Sequence, residues 1–173
     1  GDGRKTLALC REWLKAGASL CYRPMDISAQ ALERLGQRAA RQLPALSVHP
    51  LCGDYFQTWP LPQARRHQVA LFLGSNLGNF TDAEANRFLR RVRAHLRPGD
   101  SLMLGLDLRK DPSTVLAAYD DPEGVTAAFN LNLLRRLNRE LGMDFDLAAF
   151  RHYASYCPLQ GVARSFLVSL RAQ

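Results

Sequence analysis

Apolar residues recur at helical spacing in three stretches of the first half of the chain. Between Lys5 and Lys15 they fall largely on one side, and Gly17 follows as a stop signal. A second helix is predicted from the N-cap candidate Ser28 to about residue 43, where Pro44 ends it. A third begins at the sequence 81–84, which has the composition of a capping box, and continues to about residue 96.

Short apolar runs between these helices predict strands over residues 20–25, 46–51, 69–73 and 101–108. The run over 69–73 contains no polar residue, which is typical of a strand buried on both faces. Asp111-Pro112 and Asp121-Pro122 each have the form of an N-cap followed by proline at the first helical position. The second is predicted to open a helix that Gly142 stops, with strands following over 151–157 and 163–170.

Alternating strands and helices predict an α/β fold with a mostly parallel sheet and helices on both of its faces. The 173 residues suit a single domain, and no run is apolar enough for a membrane span. The net charge of +7 comes from scattered basic residues, which favours solvated helix faces over a nucleic-acid stripe. The four cysteines include no C-x-x-C pair, so we expect reduced, buried thiols in a cytoplasmic protein and no metal site.

In sheets of this kind, ligands bind beyond the carboxyl ends of the strands. Gly1 and Gly3 precede the first helix and permit close approach of a ligand to the backbone. Asp26 follows the next strand at a spacing that suits hydrogen bonds to both hydroxyls of a ribose. The alternative is that Asp26 helps to cap the helix that begins near Ser28.

Two further strand ends carry polar groups. Asp54 is placed to accept from the amine of an adenine while Tyr55 packs on the base, although Gly53-Asp54 is also ordinary turn chemistry. In the sequence 74–79, Gly74 permits close backbone approach and Asn79 offers a donor and an acceptor to an amino-acid substrate. The alternative is a loop with Asn79 in a left-handed or turn conformation. These groups suit S-adenosylmethionine better than NAD, because no full G-x-G-x-x-G motif is present.

Several motifs make the chain similar to a known family. They are the sequences at 72–79, 104–111, 118–121, 124–130, 138–141 and 144–147. With these motifs the chain resembles the histidine-specific N-alpha methyltransferases of ergothioneine biosynthesis. The resemblance implies a Rossmann-like methyltransferase domain over residues 1–173 that uses S-adenosylmethionine to methylate the alpha-amino group of an amino acid such as histidine. It also implies that the domain is partial, lacking a helical region and first strand before the glycine turn and a later segment that contacts imidazole.

The resemblance assigns roles to individual residues. The methionine end of the cofactor would lie at Gly1, Gly3 and Lys5. Its ribose would lie at Asp26 and its adenine at Asp54 and Tyr55. The residues facing the amino-acid substrate would be Gly74, Asn79 and Tyr119, of which the last two would hold its carboxylate and amine. No residue is assigned as the catalytic base.

Two other functions stay open on the sequence. A nucleic-acid-binding methyltransferase would need exposed aromatic residues along a basic stripe. Instead Trp13, Phe72, Phe88 and Phe129 fall within apolar patterns, which predicts that they belong to the core. The other alternative is a non-catalytic remnant of the fold. A homodimer that covers an open sheet edge is also an alternative, since an unpaired edge is prone to association.

Overall fold

The computed structural model describes residues 2–56 and 67–172. The chain divides into two compact units, Gly1–Asp107 (unit 1) and Leu108–Gln173 (unit 2).

The described residues of unit 1 form three α-helices: α1 over Arg4–Lys15, α2 over Ala29–Gln42 and α3 over Asp82–His95. Their starts follow from local chemistry. The Ser28 hydroxyl accepts a hydrogen bond from the Ala31 N–H at 3.2 Å, which caps α2. Thr81 and Glu84 form both halves of a capping box at the start of α3. The three helices predicted for this half of the sequence are therefore confirmed.

The first strands of unit 1 are β1 (Cys21–Tyr22) and β2 (Met25–Asp26), which pair in parallel with β3 (Ser47–Val48) and β4 (Leu51–Cys52). The same 26-residue offset relates the partners throughout, from Cys21 beside Ser47 to Asp26 beside Cys52. The ladder is interrupted at Pro24 and Pro50, which have no N–H to donate. The four short strands therefore form two successive two-stranded ladders with one shared offset, in the regions where strands are predicted over 20–25 and 46–51.

A further parallel pair of unit 1 joins β5 (Val69–Phe72) to β6 (Ser101–Leu104). The prediction that a strand extends to residue 108 is wrong. The last bond of the ladder runs from the Gly105 N–H to the Phe72 carbonyl at 2.9 Å. Beyond it Gly74 adopts a φ of +94° and turns the partner strand away. Burial of β5 on both faces is also wrong, because Val69 is 47% exposed.

The core of unit 1 is formed mainly by α1 and α2. The buried cluster consists of Leu7, Cys10, Leu35, Ala39, Leu43 and Leu46. In α3, Phe88 and Val92 are each 1% exposed. The helical spacing of apolar residues therefore identified the buried faces of these helices.

Unit 2 contains α4 (Pro112–Tyr119), α5 (Val125–Leu141), β7 (Phe150–Cys157) and β8 (Val162–Ser169). The two strands form an antiparallel hairpin with eight paired positions, from Phe150 beside Ser169 to Cys157 beside Val162. Asp111 caps α4 as predicted, since its carboxylate accepts the Ser113 N–H at 2.8 Å.

The start of α5 differs from the prediction. Asp121-Pro122 does not open the helix, which begins at Val125 after Gly124 with a φ of +70°. The Asp121 carboxylate nevertheless accepts the N–H groups of Val125 and Thr126 at 2.7 and 2.8 Å. The Thr126 hydroxyl and these N–H groups lower the pKa of Asp121 to about 2. The aspartate therefore caps the helix from a turn that precedes it.

Two side chains of unit 2 were not anticipated. Phe129 is 78% exposed on α5, so the prediction that it lies in the core is wrong. It shares an exposed apolar stripe with Val125 and Leu133. Both ring nitrogens of His152 in β7 are buried and have no hydrogen-bond partner among the described residues.

Among the described residues the strands form separate two-stranded ladders. The mixed helix and strand content is that of an α/β fold and is consistent with the methyltransferase class. A continuous, mostly parallel sheet is not formed by the described residues.

Candidate cofactor and substrate site

Unit 1 contains a cavity of about 1170 Å³ lined by residues of β1, β2 and β5, which we term the interstrand cavity. At the amino ends of these strands it is lined by Ser19 and Gln68. At their carboxyl ends it is lined by Asp26 and Asn76. The cavity therefore extends along the full length of the strands and includes the edge at which α/β folds bind ligands.

Most of the predicted cofactor residues meet at this cavity. Its lining includes Gly3, Asp26, Asp54 and Tyr55, which come from three separate parts of the sequence. Lys5 is exposed on α1 and is not among the lining residues. Gly1 lies outside the described residues. The ligand contacts assigned to all six residues stay predictions.

Gly3 lies where the chain enters α1. It is the N-cap, with a φ of +70°, a conformation that favours glycine. A Cβ atom at this position would lie 2.1 Å from Cδ1 of Leu35, which belongs to the core. The backbone therefore approaches α2 closely here, and a side chain has no room without displacing Leu35.

Asp26 makes the contact that its capping alternative predicts. Its Oδ1 accepts the Ser28 N–H at 3.0 Å. That hydrogen bond is the main reason why the pKa of Asp26 is below its usual value, so the group is a carboxylate at neutral pH. Because Asp26 also lines the cavity, capping α2 and binding a ribose are compatible roles.

Asp54 and Tyr55 both have protein contacts. Asp54 accepts the Phe56 N–H at 2.8 Å, which is the turn geometry of the alternative prediction. The Tyr55 ring lies 5.6 and 5.8 Å from the rings of Phe72 and Phe88. Tyr55 therefore belongs to an aromatic cluster as well as to the cavity lining, and its contact with adenine stays a prediction.

The predicted substrate residues lie in both units. Gly74 follows β5, and Asn79 is exposed at the end of a 3-10 helix over Asn76–Asn79. Tyr119 is 41% exposed and ends α4 in unit 2. The left-handed residues of the loop are Gly74 and Ser75, with φ values of +94° and +63°. The left-handed form of the alternative for Asn79 is therefore wrong, whereas its turn form agrees with the single turn of 3-10 helix that contains Asn79.

Ile27 and Asn76 line the cavity, although the sequence analysis assigned no role to either of them. Ile27 is 74% exposed although it is strongly apolar, and it lines the cavity directly after Asp26. Its position between an acidic strand end and the N-cap Ser28 is the signal that would have identified it. Asn76 also lines the cavity, and its polarity within the 74–79 loop was the available signal.

Residues 2–56 and 67–172 hold no group of three or more potential metal ligands. Within these same ranges, no helix is long and apolar enough to cross a membrane. The four cysteines are free thiols, of which Cys10 is buried and Cys157 is half-buried. Cys21 and Cys52 are exposed, so the prediction of buried thiols is wrong for these two.

A family model and several known proteins are similar to this chain. A family model described as histidine-specific, S-adenosylmethionine-dependent methyltransferase matches residues 1–173. Histidine N-alpha-methyltransferases from Mycolicibacterium smegmatis and Mycobacterium tuberculosis are 41% and 38% identical over 90% of this chain. Ergothioneine biosynthesis protein 1 of Neurospora crassa is 31% identical over 91% of the chain and 20% of its own length.

The chain spans about half the length of the two mycobacterial relatives, 49% in each case. The family model nevertheless covers the whole sequence. This chain belongs to the histidine-specific, S-adenosylmethionine-dependent methyltransferase family.

Proposed function

We propose that this chain is the S-adenosylmethionine-binding part of an enzyme that methylates the alpha-amino group of histidine. One observation carries the proposal. Gly3, Asp26 and Asp54 are separated in the sequence, yet they line one cavity at the carboxyl ends of parallel strands. The names of the relatives supply the acceptor, because the mycobacterial proteins are histidine N-alpha-methyltransferases.

The residues at the mouth of the cavity suit a nucleoside. Asp26 is ionised, and a carboxylate is a strong acceptor for ribose hydroxyls. The exposed Ile27 places apolar surface beside it, as a flat base requires. Gly3 lines the same cavity at the N-terminus of α1, a helix end that favours a carboxylate. These groups would hold the ribose, the adenine and the methionine end respectively, with Asp54 and Tyr55 beside the adenine.

The reaction needs little from the protein beyond positioning. Bound S-adenosylmethionine supplies a methyl group activated by a sulfonium. Asn79 and Tyr119, with the backbone at Gly74, would orient the amine and carboxylate of the amino acid. Holding the reacting groups in line is a large part of catalysis in such a transfer. The fold proposed for the intact enzyme is a Rossmann-like sheet with helices on both faces, working in the cytoplasm.

The test is calorimetric titration of the chain with S-adenosylhomocysteine. Asp26→Asn keeps an oxygen that accepts the Ser28 N–H but removes the negative charge. We expect affinity to fall about 10- to 100-fold, the effect of weakening hydrogen bonds to a charged group. The matched control is Asp111→Asn, which makes the same change at the N-cap of α4 and should leave affinity unchanged.

Two results would count against the proposal. Equal losses in both variants would mean that Asp26 acts only as a helix cap. Absence of binding by a folded wild-type chain would favour the non-catalytic remnant. If S-adenosylhomocysteine binds, the complex is then titrated with histidine. This second titration tests the methyl acceptor separately from the cofactor.

A further inference from the structure

The carboxyl end of β6 contacts the turn that follows β5 at one glycine. Gly105 donates its N–H to the Phe72 carbonyl at 2.9 Å, the last bond between the two strands. A Cβ atom on Gly105 would lie 2.9 Å from the Gly74 nitrogen and 3.2 Å from Cα of Leu73. Both are backbone atoms, which cannot rotate away as the end of a flexible side chain can. The two backbones therefore meet at a distance that a side chain at position 105 would prevent.

Gly105 and Gly74 are needed for different reasons. Gly74 has a φ of +94°, a conformation that favours glycine, but a Cβ atom there would meet no atom within 4 Å. The φ of Gly105 lies outside the left-handed region, so alanine could adopt this backbone conformation and only the space is missing. The requirement for glycine is therefore conformational at Gly74 and steric at Gly105.

The turn after β5 also holds a strained residue. Ser75 has a φ of +63° and is the one non-glycine residue with a positive φ among residues 2–56 and 67–172. Such a conformation persists only where the surrounding structure imposes it. The backbone contact of Gly105 with Leu73 and Gly74 lies directly before Ser75 and restricts the path of the chain there.

This turn determines where two polar side chains lie. It leads into the 3-10 helix over Asn76–Asn79, in which the Gly78 N–H donates to the Ser75 carbonyl at 3.0 Å. Side chains three positions apart in a 3-10 helix are eclipsed, so Asn76 and Asn79 lie on the same side of it. Asn76 lines the interstrand cavity. The direction in which the chain leaves β5 therefore sets the place of both carboxamides.

We infer that Gly105 is a positioning residue of the substrate site. Because it has no side chain, the end of β6 packs directly against the turn at Gly74 and holds the 3-10 helix in the orientation that turns Asn76 and Asn79 toward the ligand. Gly105 acts through the backbone and does not itself contact the ligand. The inference rests on the proposed function for the identity of that ligand, an amino acid, but the orientation of the 3-10 helix is measurable without it.

The first test measures this orientation in solution from the residual dipolar couplings of backbone N–H groups. In Gly105→Ala we expect the couplings of residues 76–79 to depart from those of the wild type, while those of α2 are retained. The matched control is Gly36→Ala, where a Cβ atom meets nothing within 4 Å, and it should retain the couplings of residues 76–79. Retention of these couplings in Gly105→Ala would overturn the inference.

A second variant tests the inference even if Gly105→Ala does not fold. Gly74→Ala has room for its Cβ atom, so the turn either keeps its left-handed φ or relaxes. If the contact with β6 holds the turn, the couplings of residues 76–79 stay as in the wild type. The melting temperature then falls by about 2–4 °C, the cost of alanine at a positive φ. Changed couplings would mean that the contact does not hold the turn, and the inference would be wrong.

The third test separates a role in substrate binding from a general loss of stability. The titrations with S-adenosylhomocysteine and then histidine are repeated on Gly105→Ala. We expect affinity for histidine to fall about 10- to 100-fold, as for a displacement of about 1 Å, and affinity for S-adenosylhomocysteine to change by less than about threefold. Equal losses for both ligands would overturn the assignment to the substrate site. A wild-type chain that binds S-adenosylhomocysteine but not histidine would contradict the proposed function, and the couplings would then decide the positioning role by themselves.

Discussion

The two units of this chain pair their strands in different ways. In unit 2, β7 and β8 are joined by a short turn and pair at eight positions. Among the described residues of unit 1, the pairs are parallel, their partners lie 26 or 32 residues apart, and no ladder exceeds four positions. A hairpin completes its own ladder from a local connection, whereas parallel strands need a crossover and further neighbours. Unit 2 shows what a sequence can form locally, and unit 1 shows where it depends on other segments.

The apolar side chains of the two units differ in the same sense. Unit 1 buries Phe88 to 1% exposure within an aromatic cluster. Unit 2 leaves Phe129 at 78% exposure although it also lies on a helix. We therefore expect the same truncation to destabilise the protein more at Phe88, which is packed in the core, than at Phe129, which is exposed.

The largest expected change in stability comes from a mutation in the core of unit 1. Phe88→Ala should lower the free energy of unfolding by about 3–5 kcal/mol, because it removes a large buried side chain and leaves a cavity. Phe129→Ala should change it by less than about 0.5 kcal/mol, as expected for an exposed position. Urea unfolding measures both. A comparable loss for Phe129→Ala would mean that another surface covers this side chain in solution.

A smaller loss of stability is expected when alanine replaces a glycine with a positive φ. Two such glycines allow the steric cost of the added Cβ to be separated from the cost of the backbone conformation. Gly3→Ala places a Cβ against the buried Leu35 at a positive φ and should cost about 2–3 kcal/mol. Gly142→Ala has a positive φ but meets no atom within 4 Å, so it should cost about 1 kcal/mol. Thermal or urea unfolding of the two variants gives the difference. Equal costs would mean that Leu35 moves aside freely.

The smallest effect concerns acid stability in unit 2. The folded-state pKa of Asp121 is about 2, below the value of an unfolded aspartate. Its contribution is therefore complete above about pH 4 and is lost as the pH falls through about 2. Asp121→Asn should flatten the fall in melting temperature over this range. Asp120→Asn, which removes a neighbouring carboxylate, serves as the control. If the melting temperature falls with pH equally steeply in wild type and in Asp121→Asn, Asp121 does not stabilise the fold as a carboxylate.

Much of the secondary structure follows from the sequence alone, because it rests on local chemistry. Ser28 and the Thr81–Glu84 pair fixed the starts of α2 and α3, and Gly142 fixed the end of α5. The candidate ligand residues after the strands were also identified by the sequence, since Gly3, Asp26, Asp54 and Tyr55 follow a recurring order of strand, turn and helix. What each of them binds stays a prediction.

Other features were decided only by tertiary contacts. β6 ends at Leu104 because Gly74 turns its partner away, and apolar composition alone does not reveal that. Phe129 carries the same local signal as Phe88, yet only Phe88 finds a packed surface. Periodicity specifies which face of an element is apolar, but the neighbour that covers that face is set by long-range packing.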